Sequence, residues 1–243
     1  NGLASGWGAA ADGGAIYNQF NDLSLSDCTL HGNVASVGGG VYNDGADGGD
    51  AMWSLSKCTL SENTATNSGG GIYNYGWNGN ASVVLVGSTL TGNFADNVGG
   101  AIYNSNTDAV GSATISLDAC TLTGNSAGER GGGIYNYAGT SMGAVVNYSS
   151  CIIGRNTAGL SGNNFETFNG TLNPTGTNLV SDTILLAPLG DYGGPTQTML
   201  PLPGSPAIDA GGAVDPGGSD QRGYARFVGG ALDLGAVEYQ GTS

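Results

Sequence analysis

The sequence predicts an all-β chain, a right-handed parallel β-helix with coils of about 30 residues, and three observations predict it. An 11-residue motif recurs at a nearly constant step, as "LSLSDCTLHGN" at 23–33, "WSLSKCTLSEN" at 53–63, "VVLVGSTLTGN" at 83–93, "ISLDACTLTGN" at 115–125 and "VNYSSCIIGRN" at 146–156. Within it apolar residues sit two apart, the spacing of a strand with one buried face; a helix would need spacings of three and four. A glycine-rich hexapeptide, "GGGIYN" at 69–74 and 131–136 with looser copies at 13–18, 38–43 and 99–104, recurs at the same step. Repeats of this length stack supersecondary units into a solenoid.

Taken in order along one coil, the first strand carries two inward columns. These are Leu23, Trp53, Val83, Ile115 and Val146, then Leu25, Leu55, Leu85, Leu117 and Tyr148. A bend follows, with Cys28, Cys58, Cys120 and Cys151 in one column and Ser88 in the remaining rung. The second strand places Leu30, Leu60, Leu90, Leu122 and Ile153 inside. The next column, His31, Ser61, Thr91 and Thr123, reads as a turn, and the ladder Asn33, Asn63, Asn93, Asn125 and Asn156 closes it. Asn suits such a place because its amide bonds turn backbone and tolerates unusual dihedrals. The hexapeptide is the third strand: Gly turns the corner, Ile16, Val41, Ile72, Ile102 and Ile134 point in, and Asn18, Asn43, Asn74, Asn104 and Asn136 form a second internal ladder. Three strands per coil is therefore the expectation. A leucine-rich-repeat horseshoe is the rival, but segments such as "DGADGGD" and "YGWNGN" cannot form its helical return.

The repeats occupy 1–160, and 161–243, which holds all seven prolines, reads as irregular final coils and a C-terminal cap. Composition narrows the partners: 5 Lys and Arg against 19 Asp and Glu give a formal charge of −14, too acidic to neutralise nucleic-acid phosphates. No apolar run is long enough for a membrane-spanning helix. Nothing in the sequence calls for a cofactor or a metal. The four Cys have no His partner or C-x-x-C spacing, and stacking in parallel they read as free thiols, with a disulfide between Cys28 and Cys58 or between Cys120 and Cys151 as the alternative.

Candidate sites are few. Tyr17, Tyr42, Tyr73, Tyr103 and Tyr135 alternate with the buried Ile column and should face outward, as a stripe that either grips sugar rings or a protein, or stabilises the sheet. Asn80, Asn147 and Asn169 open glycosylation sequons, Asn80 in an expected loop. Asp44, Asp47 and Asp50 read as solvated turn acids, with a weak Ca²⁺ site as the alternative. No column pairs two acids, so no catalytic residue is assigned. Arg222 is expected to clamp Asp209 or Asp233.

The paired GGA(I/V) and terminal-Asn motifs resemble the passenger repeats of polymorphic outer-membrane proteins. The stretches "PLGDYGGPTQTMLPLPGSPAIDAG" at 188–211, "DQRGYAR" at 220–226 and "DLGAVEY" at 233–239 are similar to the choice-of-anchor Q class of secreted bacterial β-helix proteins. The resemblance implies secretion and no agreed catalytic residues, hence an extracellular structural or adhesive protein. A carbohydrate-binding or pectate-lyase-like β-helix with a loop-borne site is the alternative. Open strand edges at the ends of a β-helix also suggest self-association into filaments, with residues 1–12 leaving an incomplete first coil and the alternating segment 230–239 pairing with a neighbour.

Overall fold

The computed structural model describes residues 11–108, 110–139, 143–212 and 217–241. Among them there is no helix in any sheet-forming coil, and every strand pairs in parallel with the equivalent strand one coil away. The repeat column therefore becomes the sheet register: Ile16, Val41, Ile72, Ile102 and Ile134 lie opposite one another, and Phe165 continues them.

Each of the first five coils has four strands, one more than expected. The Tyr sheet contains Ile16–Gln19, Val41–Asp44, Ile72–Tyr75, Ile102–Asn106, Ile134–Ala138 and Phe165–Phe168. The long-strand sheet contains Asp22–Ser26, Asp50–Ser56, Asn80–Val86, Ser112–Asp118, Ala144–Ser149 and Thr171–Thr175. The Thr sheet is made of Thr29–His31, Thr59–Ser61, Thr89–Thr91, Thr121–Thr123, Ile152–Gly154 and Leu179–Val180. The extra sheet, of Val34–Val37, Thr64–Ser68, Phe94–Ala95, Ser126–Ala127 and Thr157–Ala158, buries Ala35, Ala65, Ala95 and Ala127. One small inward residue per rung is too faint a periodicity to mark a strand. His31, Ser61, Thr91 and Thr123, read as a turn, are instead the last residues of their strands.

The corners explain the glycine content, and they differ. Before the Cys column the residue adopts the left-handed region in every rung: Asp27, Lys57, Gly87, Ala119 and Ser150, with φ from 49° to 56°. Before the Asn33 ladder Gly32, Glu62, Gly92, Gly124 and Arg155 do the same. The ladder asparagines are not left-handed themselves, so their role is hydrogen bonding and the unusual dihedral belongs to their predecessors. In the hexapeptide the first glycine, Gly69 or Gly131, has positive φ, while the second has no room: a Cβ on Gly100 would lie 2.3 Å from the Gly132 oxygen. The third position accepts a methyl, as buried Ala101 shows.

Both ladders are continuous. Asn33 donates its Nδ2 to Asn63 Oδ1 at 2.8 Å, and Asn63, Asn93 and Asn125 each donate likewise to the next rung at 2.9 Å. Asn164 receives the final bond from Asn156 at 3.0 Å. The second amide hydrogen reaches back to a Leu carbonyl, as from Asn93 to Leu60 and from Asn125 to Leu90. The same Oδ1 accepts a backbone N–H, as Asn125 Oδ1 does from Asn93 N. The Asn18 to Asn136 ladder runs at 2.7–2.8 Å. A buried amide whose donors and acceptor are all used stabilises; a half-used one would not.

A sixth rung without the repeat motif continues to Val180. The chain then turns back and lies along the outer face of the Thr sheet, as a strap rather than a cap across the end. Gln221 is its anchor: fully buried, it accepts from Thr89 Oγ1 at 2.6 Å and from Thr198 Oγ1 at 2.8 Å. Its amide donates to Thr59 Oγ1, Thr196 Oγ1 and the Cys58 carbonyl. Thr121 accepts the Ala236 N–H. Where the column turns apolar at Ile152, the strap turns apolar too, with Ile184, Leu186, Ala207 and Leu234. Segment 230–239, expected to finish a coil or pair with a neighbour, is engaged here, with Leu234, Ala236 and Val237 buried. Of the N-terminal stretch invoked for the incomplete first coil, residues 1–10 lie outside the described residues.

Candidate functional site

The five hexapeptide tyrosines are brought together as one ladder. Ring centroids are 5.2 Å apart for Tyr17 and Tyr42, 5.0 Å for Tyr42 and Tyr73, 4.8 Å for Tyr73 and Tyr103, and 5.5 Å for Tyr103 and Tyr135. All but the first pair are stacked, so the inner rings spend their faces on one another, and Tyr42 and Tyr135, expected to face outward, are buried. A sugar ring docks on an aromatic face, so this packing favours the sheet-stabilising role. Tyr17 donates to Asp44 Oδ2 at 2.7 Å. Burial pushes the phenols up, Tyr103 to about 12, and Asp44 adds its negative charge at Tyr17 and Tyr42.

Asp44 is therefore not a solvated turn acid: it is buried, and it also accepts the Ala46 N–H. Asp47 and Asp50 are exposed. Among the described residues no group of three His, Cys, Asp or Glu is placed to hold a metal.

Asn80, expected in a loop, is the first residue of its strand and is bonded both ways along the sheet, donating to Asp50 and accepting from Ser112. Asn147 lies mid-strand and accepts from Asn173. Asn169 is exposed, at φ 54°, and donates to the Gly139 carbonyl. A glycan takes one hydrogen of the Nδ2 that Asn80, Asn147 and Asn169 use to donate to Asp50, Ser116 and the Gly139 carbonyl.

The four cysteines are free thiols, and each Sγ bonds the carbonyl two residues back, as Cys120 does to Asp118 at 3.3 Å. Ser88 makes the same bond to Val86, which is why it substitutes in the column.

Arg222 pairs with Asp220 rather than Asp209 or Asp233, through Nε at 3.0 Å and Nη2 at 2.7 Å. The local turn brings Asp220 to it, while the other two acids cap backbone: Asp209 accepts from Gly230 and Ala231, and Asp233 from Asp209 and Tyr239. Burial raises the Asp233 and Glu238 carboxyls against the lowering pull of their backbone hydrogen bonds and Arg226. Arg226 donates to the Asp233 and Gly235 carbonyls. These groups hold the strap's own turns.

Three consecutive repeats match the Chlamydia polymorphic membrane protein repeat, at residues 57–75, 87–105 and 119–137. Each match runs from the Cys bend, through the Asn ladder, to one residue beyond the hexapeptide asparagine. No curated protein and no solved structure matches the chain.

Proposed function

We propose that the chain is part of a secreted passenger displayed at a cell surface, where the solenoid is an extended structural or adhesive module. The match of three repeats to the polymorphic membrane protein repeat carries this reading. The internal ladders support it: they are spent on rigidity along the stack, and the reading needs no catalytic residue. Self-association is the finer part of the proposal. It has to use the strands at the ends of the stack, because 230–239 is engaged in the strap.

Surface display is tested with an antibody to the solenoid on intact source cells. Labelling that external protease removes is the expected result, and labelling seen only after lysis contradicts it. Beads carrying the purified chain then separate the roles: retention on host-cell monolayers supports adhesion, and free passage leaves the structural role alone.

A further inference from the structure

The corner between the Tyr sheet and the long-strand sheet gathers exposed apolar side chains and unpaired carboxylates at one end of the stack. Phe20 is 43% exposed, Met52 53% and Trp77 42%. Their backbones adjoin: the Met52 N–H bonds the carbonyl of Asn21, next to Phe20. The Phe20 ring lies against Gly49, and the Asp47 N–H bonds the Trp77 carbonyl, which ties the two loops together. Met52 and Asp22 face each other across the sheet register and both line a cleft of about 240 Å³ that also includes Val84.

Asp22, Asp47 and Asp50 stand around these side chains. Among the described residues none of the three has a Lys, Arg or His within 4.0 Å, although Asp50 accepts a hydrogen bond from Asn80. The cations of the chain are elsewhere: Lys57, Arg222 and Arg226 hold the strap, Arg130 reaches Glu166, and Arg155 bonds the Asp182 and Ile184 carbonyls.

We propose that this corner is a docking surface for a cationic protein segment, with Lys or Arg stems lying on Met52 and Val84 and their charged heads at Asp22 and Asp50. Phe20 and Trp77 add exposed aromatic rings beside which a cation can lie. A long basic side chain satisfies both parts of the patch at once, apolar stem and charged tip, whereas a neutral sugar leaves the carboxylates unused and a metal ion leaves the apolar groups unused. The proposal rests on the surface-passenger reading only for where such a partner is met.

The test is fluorescence anisotropy with a labelled dodecapeptide of alternating Lys and Ser, its Glu-Ser counterpart, and a panel of neutral oligosaccharides as competitors. Asp22→Asn with Asp50→Asn, and separately Trp77→Ala, should each weaken Lys-Ser binding about tenfold or more, since each removes one of the two contact types. Glu62→Gln with Asp118→Asn, which removes exposed charge from other corners, should leave it within about twofold. Thermal melts matching the parent keep folding out of the comparison. Equal loss in the Glu62 and Asp118 variant, no loss in Trp77→Ala, or displacement by an oligosaccharide overturns the proposal. None of these outcomes bears on surface display, which the antibody experiment decides separately.

Discussion

A single dihedral recurs through this molecule. In the bend before the Cys column Ala119 holds φ at 49°, and Gly87 holds it at 52° with no atom within 4 Å of its Cβ position, so a methyl added there meets only the backbone preference. Ala119→Gly should stabilise by about 1 kcal/mol and Gly87→Ala should cost about as much, read from denaturant midpoints. Gly100→Ala, without positive φ but facing the Gly132 oxygen at 2.3 Å, should cost about 3 kcal/mol, because backbone must move. The tyrosine ladder makes its own prediction. Raised phenol pKa values at Tyr17, Tyr42, Tyr73, Tyr103 and Tyr135 favour the neutral form in the folded state. Their contribution is therefore full below the unfolded value of about 10 and is lost as pH rises above it. Absorbance at 295 nm near pH 11 should show less phenolate in the native protein than in guanidinium, and identical values would contradict the ladder's burial. The ladder's existence was legible in the sequence, since identical residues at a fixed step must stack. Its packing was not, because alternation gives the side of a sheet and says nothing of whether neighbouring rings lie flat on one another.

The asparagine ladders and the strap are the two elements that bind coils together. Asn93 uses both amide hydrogens and accepts from Asn63 N and Nδ2, so Asn93→Ala strands groups on both neighbouring coils. It should cost about 3 kcal/mol or more, while Asn97→Ala, which loses one exposed bond to Asn67, should stay within about 0.5 kcal/mol. Gln221→Ala should likewise loosen the strap, seen as faster limited proteolysis after residue 186 with the repeat region intact; equal cleavage rates would remove Gln221 as the anchor. The sequence showed the ladders because the repeats align them column by column. It did not show the strap, since Gln221 meets Thr89 at a separation of 132 residues and no periodicity connects them. Thr59, Thr89 and Thr121 were the available hint: a buried hydroxyl column on an outward face asks for something to cover it.

On the scale of the whole molecule, the two ends of the stack differ. Ser150 donates its N–H forward to Thr177 of the following coil, and its neighbour two residues earlier, Tyr148, faces Pro174 in the last long strand. The N–H that Pro174 lacks is thus one that would point out of the stack, a device that blunts a sheet edge. Strand addition at that end of the long-strand sheet is disfavoured, so end-to-end association there has to pair the other sheets. Stability should also be uneven along the axis, since neighbouring coils couple only to each other while the strap clamps the middle ones. Native-state hydrogen exchange measured by mass spectrometry tests that account most directly. Peptides within 57–137, where both ladders and the strap act on the same coils, should exchange slowest, with strands 16–31 and 165–180 opening first. Uniform protection along the chain, or slowest exchange in the end strands, would contradict it.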